Sequence, residues 1–263
     1  MEDDLDGDIR RLADVLAQSE RCVAMTGVRL GAIEDTEAKA AGSAWGEFAS
    51  LEVLLTEPAR FWENWLPRAL EASQREVTDA HRALARLEAA GVIAAIITQA
   101  VDHLHGRAGE GDLIEVHANV LSCRCTRCED VYALSEVQAI AGASDDGVPR
   151  CTREGCGYPL RPTGTLWGEP LVEQAIIRAW DMAAWSDLFL VIDTQLRTDP
   201  MAMLPSVPLK RGSKVAIVGT TRTHYDRYAT LVIPRPGPEV LPGVADLLAP
   251  PPARGPGGAE PVA

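Results

Sequence analysis

Positive charge is in short supply in this chain of 263 residues. Its 25 lysines and arginines stand against 38 acidic residues, which gives a formal net charge of -13. A surface of that sign repels the phosphate backbone of nucleic acids and the anionic heads of lipids. We therefore expect neither a nucleic acid nor a membrane among its partners.

Long apolar runs are also missing. No run approaches the roughly 20 residues that a helix needs to span a bilayer. The first segment, MEDDLDGDIRRLADVLAQSE, is acidic, whereas a secretory signal begins with a basic segment. These two absences predict a cytoplasmic protein.

Short apolar runs, by contrast, recur along the chain and predict β-strands. They are apolar throughout rather than alternating, which is typical of parallel strands covered on both faces. Segments with helical periodicity lie before and between them, as crossover connections require. The predicted fold class is α/β with an open parallel sheet. The strands are predicted at 22–27, 92–98, 188–192, 214–218 and 229–233, and the helices at 7–19, 57–73, 78–90 and 170–185.

Two further segments have a composition of their own. Residues 119–165 separate the second and third predicted strands and combine cysteine pairs with few helix signals, which predicts an inserted module. Residues 249–263 are dominated by proline, glycine and alanine and cannot form a packed core, so we expect a disordered tail.

Four tryptophans of the predicted helices are interpreted as core anchors. They are Trp62, Trp65, Trp180 and Trp185.

Four of the six cysteines form two closely spaced pairs, Cys125 with Cys128 and Cys151 with Cys156. In a reducing cytosol, paired cysteines are metal ligands more often than disulfides. Four thiolates suit one tetrahedral zinc ion, and such a closed site leaves no open position for a substrate. We predict a structural zinc site, with a redox pair or a chance cluster of buried thiols as the alternatives.

Two motifs stand between the second predicted strand and the cysteine pairs, namely Thr98-Gln-Ala-Val-Asp102-His-Leu-His105 and Glu115-Val-His117-Ala118. They resemble the T-Q-N-(I/V)-D-x-L-H and E-(V/L)-H-G motifs of the sirtuin family of NAD-dependent protein deacylases. In that family a zinc module with two cysteine pairs follows, as it does here. The resemblance extends over residues 10–235 and includes Trp167-Gly-Glu-Pro170 and Asp193-Thr-Gln-Leu196.

The resemblance implies a Rossmann-like open parallel sheet with helices on both faces. This domain would be discontinuous, formed by residues 1–118 and 166–248, with residues 119–165 as its inserted zinc-binding module. The resemblance also implies two cofactors, a structural Zn²⁺ and NAD⁺. The implied partner is an acylated protein or peptide.

Sirtuin chemistry, as the resemblance implies it, joins an acyl-lysine oxygen to the anomeric carbon of the nicotinamide ribose of NAD, and nicotinamide leaves. His117 takes the place of the histidine that acts as general base on a ribose hydroxyl. Gln99 and Asp102 match positions that contact the nicotinamide ribose and carboxamide, and Gly27 and Thr194 match further cofactor positions. The matching residues on the acyl-lysine side are Trp167, Gly168 and Glu169.

The phosphate loop departs from the family pattern. Gly27-Val-Arg-Leu-Gly31 replaces G-A-G-(I/V)-S, so Arg29 stands where a glycine lets the backbone approach the pyrophosphate. Arginine could instead bind phosphate directly. The segment that follows contains Glu34, Asp35 and Glu37, which would repel a pyrophosphate.

Further departures lie at other strand ends. Ala100 replaces an asparagine and has no side-chain hydrogen bond to offer. Asp193 and Gln195 replace the glycine and the serine of a phosphate-binding turn, and we expect the carboxylate of Asp193 to face phosphate unfavourably. Two more glycines of the family are replaced here, by His103 and by Ala118.

Three functions are compatible with this pattern. The first is NAD-dependent lysine deacylation with a divergent pocket. The second is a binding or regulatory protein that keeps the fold without catalysis. The third is a scaffold adapted to another small molecule, with Arg29, His103 or His105 as new pocket groups. The sequence indicates neither the acyl substrate nor the oligomeric state.

Overall fold

The computed structural model describes residues 4–31 and 48–250, apart from the side chain of Arg29. Most of the predicted tail lies outside these ranges, as does the segment with Glu34, Asp35 and Glu37. Within them, no helix has both the length and the apolar character that crossing a membrane requires.

The strands and helices of the described ranges are numbered in chain order. The strands are β1 (Cys22–Thr26), β2 (Ala95–Thr98), β3 (Leu113–Glu115), β4 (Ser122–Cys125), β5 (Val131–Ala133), β6 (Leu160–Pro162), β7 (Leu188–Ile192), β8 (Lys214–Val218) and β9 (Leu231–Ile233). The helices are α1 (Leu5–Ala17), α2 (Leu51–Thr56), α3 (Pro58–Gln74), α4 (Asp79–Ala89), α5 (Leu104–Ala108), α6 (Leu134–Gly142), α7 (Glu173–Trp185), α8 (Ser206–Lys210) and α9 (Gly237–Leu248).

Six strands form one parallel sheet in the order β3-β2-β1-β7-β8-β9, which confirms the predicted fold class. Thr26, at the end of β1, is in register with Thr98 of β2 on one side and Ile192 of β7 on the other. The strand order therefore runs outward from β1 in both directions. Ligands of open α/β sheets bind at such a reversal, beyond the carboxyl ends of the strands.

Helices cover both faces of this sheet, as fully apolar strands predict. All of β1 is buried, and its successive residues point to opposite faces. Ala24 joins one core with helices α1, α4 and α9, whereas Val23 joins another with α7. Asp4 directly precedes helix α1, and its carboxylate caps the helix by accepting a hydrogen bond from the N–H of Gly7 (2.9 Å).

A further hydrophobic core lies in the inserted module, where β5, β4 and β6 form an antiparallel sheet. Trp62 and Trp65 of α3 are buried in this core together with Val137 of α6 and Leu160 of β6. Leu54 of α2 belongs to the same cluster. Helices α2 and α3 are thus part of the module's core.

The division of the chain into one domain of residues 1–118 and 166–248 and a module of residues 119–165 stays a prediction. Helices α2 and α3 precede residue 119 and share the hydrophobic core of the module. Their apolar face could not reveal its partner, because helical periodicity indicates that a face is buried but not which element covers it.

The predicted strand bounds are confirmed for β7 and β8, which coincide with 188–192 and 214–218. The strand predicted at 92–98 begins only at Ala95. The amides of Val92 and Ile93 bond to the carbonyl of Leu87 at the end of α4 (2.9 and 3.2 Å) and so do not join the sheet. The elements additional to the predicted ones are strands β3, β4, β5 and β6 and helices α2, α5, α6, α8 and α9.

The interpretation of tryptophans as core anchors is confirmed for Trp62 and Trp65, which are 1% and 2% exposed. Trp180 is half-buried and packs against the core beneath α7. The interpretation is wrong for Trp185, which is 48% exposed at the end of α7. The guanidinium of Arg21 lies 5.7 Å from the centroid of its ring.

Replacing Gly27 with alanine is expected to destabilise the protein by about 3 kcal/mol, the upper range for overpacking without room to relax. A Cβ atom at Gly27 would lie 2.1 Å from the carbonyl oxygen of Asp193 and 2.9 Å from the Cα atom of Thr194. Both are backbone atoms of the neighbouring strand end and cannot rotate away. Urea unfolding measures the loss in unfolding free energy.

Gly142→Ala is the matched control. Gly142 ends α6, and a Cβ atom there would meet no atom of the described chain within 4 Å. Alanine should leave stability unchanged or raise it by about 0.5 kcal/mol. Equal unfolding free energies for the two variants would contradict the close approach at Gly27.

Candidate functional site

A cavity of about 370 Å³ lies beyond the carboxyl ends of the central strands. Its walls come from the strand ends, from α3 and from residues 164–171, which lead from the module back to the sheet domain. Most of the lining side chains are apolar. The predicted site residues that line it are Gln99, His117, Trp167, Gly168 and Glu169.

His117 follows β3 by two residues and is half-buried in the cavity wall. Within the described ranges, no side chain or backbone group forms a hydrogen bond with its imidazole. Burial lowers the pKa of His117 to about 4. The ring is therefore uncharged at neutral pH, and an uncharged imidazole can accept a proton from a hydroxyl group.

The backbone around His117 forms a tight turn. Ala118 donates its N–H to the carbonyl of Glu115 (3.1 Å), and the carbonyl of His117 accepts a hydrogen bond from the N–H of Thr165 (2.9 Å). Ala118 has φ 51, a left-handed conformation that costs a residue with a side chain about 1 kcal/mol. Hydrogen bonds on both sides of the base thus hold this turn.

Gln99 and Thr194 connect the ends of β2 and β7. The side-chain amide of Gln99 donates a hydrogen bond to the hydroxyl of Thr194 (3.2 Å), and both residues are buried. Thr194 borders the cavity without lining it. The structure therefore brings together two predicted cofactor residues that are far apart in sequence.

Asp102 is fully buried and does not line the cavity. One carboxyl oxygen accepts a hydrogen bond from the N–H of Leu104 (3.1 Å), whereas Oδ2 has no partner among the described residues. Burial raises the pKa of Asp102. A buried carboxyl oxygen without a partner is costly.

Gly27 and Asp193 meet where β1 and β7 end. Gly27 donates its N–H to the carbonyl of Ile192 (3.0 Å). Asp193 has φ 48, and its Oδ2 accepts a hydrogen bond from the N–H of Gly237 (2.8 Å) at the start of α9. The helix dipole favours a negative charge there. The carboxylate of Asp193 is thus engaged by a helix terminus, and the expectation that it faces phosphate stays a prediction.

Trp167 and Gly168 form another part of the cavity wall. Trp167 is 40% exposed. The backbone N–H of Trp167 donates a hydrogen bond to the carbonyl of Ala49 (3.1 Å), and the backbone carbonyl of Trp167 accepts one from the N–H of Leu51 (2.9 Å). Gly168 has φ 87, which favours glycine because a side chain would be strained there. Backbone hydrogen bonds therefore fix the segment that places the side chain of Trp167 in the cavity wall.

Glu169, at the end of this segment, forms an ion pair with Arg161 of β6. Its two carboxylate oxygens accept hydrogen bonds from Arg161 at 2.5 and 2.7 Å, and the N–H of Leu166 adds a third at 2.9 Å. Burial opposes ionisation, but the bonds from Arg161 lower the pKa of Glu169. The carboxylate therefore ties the cavity wall to β6.

His105 is buried beneath the strand ends at 1% exposure. Its Nε2 lies 2.9 Å from the hydroxyl of Thr26 and its Nδ1 2.9 Å from a carboxyl oxygen of Glu110. Burial lowers the pKa of His105 to about 4 and raises that of Glu110 to about 9, so both are uncharged at neutral pH. Because both ring nitrogens are bonded inside the fold, the hypothesis that His105 is a pocket group is wrong.

Sequence reasoning missed most of the apolar cavity wall. Nothing in an apolar pattern distinguishes a valine or leucine that lines a cavity from one inside a core. Trp65 has both roles, since it packs in the module's core and also lines the cavity. Other apolar lining residues that the sequence did not indicate are Val28, Val120, Leu166, Leu171 and Met201.

The four paired cysteines converge on one point in the module. The sulfur atoms of Cys125 and Cys156 are 3.6 Å apart, as are those of Cys128 and Cys151. All four sulfurs lie within 4.8 Å of one another. Sulfurs bound to a tetrahedral zinc ion at about 2.3 Å would be about 3.8 Å apart. The donor set and its spacing therefore fit a structural zinc ion.

Comparison with known proteins points to one family. A sequence profile of the Sir2 family matches residues 37–200. The NAD-dependent protein deacetylase of Caldivirga maquilingensis is 34% identical over 229 residues, which cover 85% of this chain and 87% of that relative. The NAD-dependent protein deacetylase 1 of Pyrobaculum aerophilum is 32% identical over 246 residues, covering 92% and 95%. Among solved structures, Sir2Tm bound to a propionylated peptide has a TM-score of 0.82 at 28% identity, covering 92% of this chain and 99% of that one.

Removing one cysteine of the cluster should release the metal. We expect purified protein to hold about one zinc ion per chain, and Cys151→Ala to lose it and about 3 kcal/mol or more of unfolding free energy, because metal binding and folding are coupled. Metal analysis and thermal unfolding, with and without a chelator, provide the measurement.

Cys123→Ala is the control, since Cys123 is buried in β4 outside the cluster. It should keep the zinc and lose only about 1 kcal/mol for the small cavity. Full zinc content in Cys151→Ala would show that this thiol is not a ligand.

His117 is expected to titrate near pH 4 rather than at the usual 6.5, because protonation would place a charge in a desolvated cavity. Since the unfolded chain binds this proton more readily, the stability contributed by His117 should fall as the pH drops below about 6.5. NMR titration of the ring C–H signals, assigned with His117→Ala, provides the measurement. A midpoint at or above 6.5 would contradict the buried environment.

Proposed function

The chain belongs to the Sir2 family, and on this basis we propose that it removes acyl groups from protein lysines in a NAD-dependent reaction. The observation that carries the proposal is the uncharged imidazole of His117 in a cavity that Gln99 also lines. The relatives are named as NAD-dependent protein deacetylases, and a solved neighbour binds a propionylated peptide. An acylated protein or peptide is therefore the proposed partner.

NAD, when bound, supplies an electrophilic ribose carbon that loses nicotinamide and receives the acyl oxygen. Gln99 and Asp102 would bind the nicotinamide riboside part. Gly27 and Thr194, at the ends of β1 and β7, would border the phosphates, as strand ends do in dinucleotide-binding sheets.

His117 is the proposed general base. Its desolvated ring is uncharged at neutral pH and can take a proton from a ribose hydroxyl without first losing one. Apolar walls exclude water from this proton transfer and strengthen the interactions of any charge that develops. The role requires that the ring face the bound ribose, which the turn at Ala118 would govern.

The walls near Trp65, Leu166 and Trp167 are proposed to receive the acyl-lysine side chain. They are apolar, and the described lining residues include no lysine or arginine. The acidic lining residues are Glu169, which is paired with Arg161, and Asp199. An uncharged acyl group is therefore favoured over one that ends in a carboxylate, which would be desolvated without a counter-charge.

A binding protein without catalysis is the second candidate, and Ala100 is the observation that favours it. Ala100 is 2% exposed and directly follows Gln99 at the end of β2. Its N–H donates to the hydroxyl of Thr98 (3.1 Å), and its methyl group offers no further hydrogen bond. If the cofactor needs a side-chain hydrogen bond at this position, turnover would be weak unless another group supplies that bond.

Nicotinamide release from NAD with an acetyl-lysine or propionyl-lysine peptide tests the proposal. We expect release by the wild type and a loss of about 10²–10⁴-fold in His117→Ala, the usual contribution of a general base. Peptides with acetyl or propionyl groups should react faster than the same peptide with a succinyl group. Calorimetry measures NAD binding separately.

Val131→Ala is the control, because Val131 is 66% exposed on β5 and does not line the cavity. Its rate should match that of the wild type. NAD binding without nicotinamide release would favour the second candidate. Release that is equal in His117→Ala and the wild type would refute the assigned base.

A further inference from the structure

A chain of hydrogen-bonded side chains runs beside the candidate base. Nδ1 of His103 lies 2.8 Å from Oε1 of Glu115, and Oε2 of Glu115 accepts a hydrogen bond from the side-chain amide of Asn119 (2.8 Å). Oδ1 of Asn119 accepts in turn from the N–H of Leu121 (3.1 Å). Glu115 and Asn119 stand two residues before and two residues after His117. The chain of bonds therefore spans the turn that carries the base.

The direction of the His117 ring depends on this turn. No described residue bonds to the imidazole, so the backbone on either side sets its position. The backbone at Ala118 is left-handed, with φ 51. Alanine has more favourable conformations available and persists there only when its surroundings hold it. A glycine would need no such support.

His103 is itself held in one place. Its carbonyl accepts a hydrogen bond from the N–H of Arg107 (3.1 Å). A Cβ atom at Gly106 would lie 2.3 Å from Cε1 of His103, which shows that the ring packs against bare backbone. The side chain of His103 is 33% exposed and that of Glu115 is 16% exposed. A partly buried bond to a packed ring holds better than one between mobile surface side chains.

Both ends of this arrangement have a left-handed backbone, with φ 60 at His103 and φ 51 at Ala118. That conformation strains alanine. The side chain of His103 bonds to Glu115, and the carbonyl of Glu115 accepts the hydrogen bond from the N–H of Ala118 that closes the turn. The bond from His103 therefore supports the residue on which the strained turn depends.

We propose that His103 is a positioning residue for His117: through Glu115 and Asn119 it holds the left-handed turn at Ala118 and thereby the imidazole of the base. The inference rests on the proposed function, because it concerns the base of that reaction. His103 itself does not line the cavity.

Two substitutions separate the hydrogen bond from the backbone conformation. His103→Gly keeps the left-handed conformation without a side chain, and His103→Asn tolerates the same conformation and places an amide nitrogen where Nδ1 lies. We expect kcat to fall about tenfold in His103→Gly, as small misplacements of reacting groups do. The KM values for NAD and peptide should stay within about twofold, because uniform binding is not altered. His103→Asn should restore most of kcat.

The same substitution is then made in an Ala118→Gly background. There His103→Gly should lower kcat less, because glycine adopts the left-handed conformation without support. Equal losses in the two backgrounds would overturn the proposal. So would equal kcat values for His103→Gly and His103→Asn, or a loss of thermal stability in His103→Gly with kcat unchanged.

The ring signals of His117 provide a readout that needs no turnover. Their NMR chemical shifts should change in His103→Gly and return towards the wild-type values in His103→Asn. If the wild type releases no nicotinamide, the proposed function fails while this measurement still tests the coupling between the two residues. Unchanged His117 signals in His103→Gly would overturn the coupling itself.

Discussion

The carboxyl ends of parallel strands all lie at the same edge of their sheet. This constraint brings together the residues of the candidate site, which come from distant parts of the sequence. Because β1 pairs with β2 on one side and β7 on the other, Gln99 and Thr194 come within hydrogen-bonding distance although 95 positions separate them. The approach of the strand ends is so close that Gly27 has no room for a side chain. The cavity begins at this edge, and two groups of the proposed chemistry, Gln99 and His117, follow strands that end there.

Three residues that carry side chains have left-handed backbones at the turns that leave this edge. They are His103, Ala118 and Asp193, with φ 60, 51 and 48. The left-handed conformation costs each of these residues about 1 kcal/mol. Hydrogen bonds formed by the side chain can offset that cost. Asp193 bonds to the start of α9, His103 bonds to Glu115, and the methyl group of Ala118 can bond to nothing. A left-handed turn therefore does not require glycine when hydrogen bonds around it offset the strain.

The cavity also depends on the inserted module. Helix α3 packs its tryptophans into the module's core, and the segment through Trp167 is tied to β6 by the ion pair of Glu169 with Arg161. The four cysteines lie in that same core. A structural ion bound by them would stabilise the cavity wall at a distance, because metal binding and module folding are one equilibrium. Zinc would then matter to the site without touching a substrate.

Local patterns in the sequence were sufficient for the parallel α/β fold, for β7 and β8 to the residue and for the cysteine cluster. Each of these depends on residue types at fixed short spacing, which a linear sequence displays. The choice of His117 came instead from the resemblance of its motif to the sirtuin family, and the structure places it in a cavity wall. Other features required the folded chain: the packing of α3 with the module, the turning of Asp193 to α9, the pairing of Glu169 with Arg161, the exposure of Trp185 and the bond from His103 to Glu115. An apolar helix face can pack against any apolar surface, and a carboxylate can pair with any hydrogen-bond donor or cation. Only the tertiary structure determines which of these partners lies close enough.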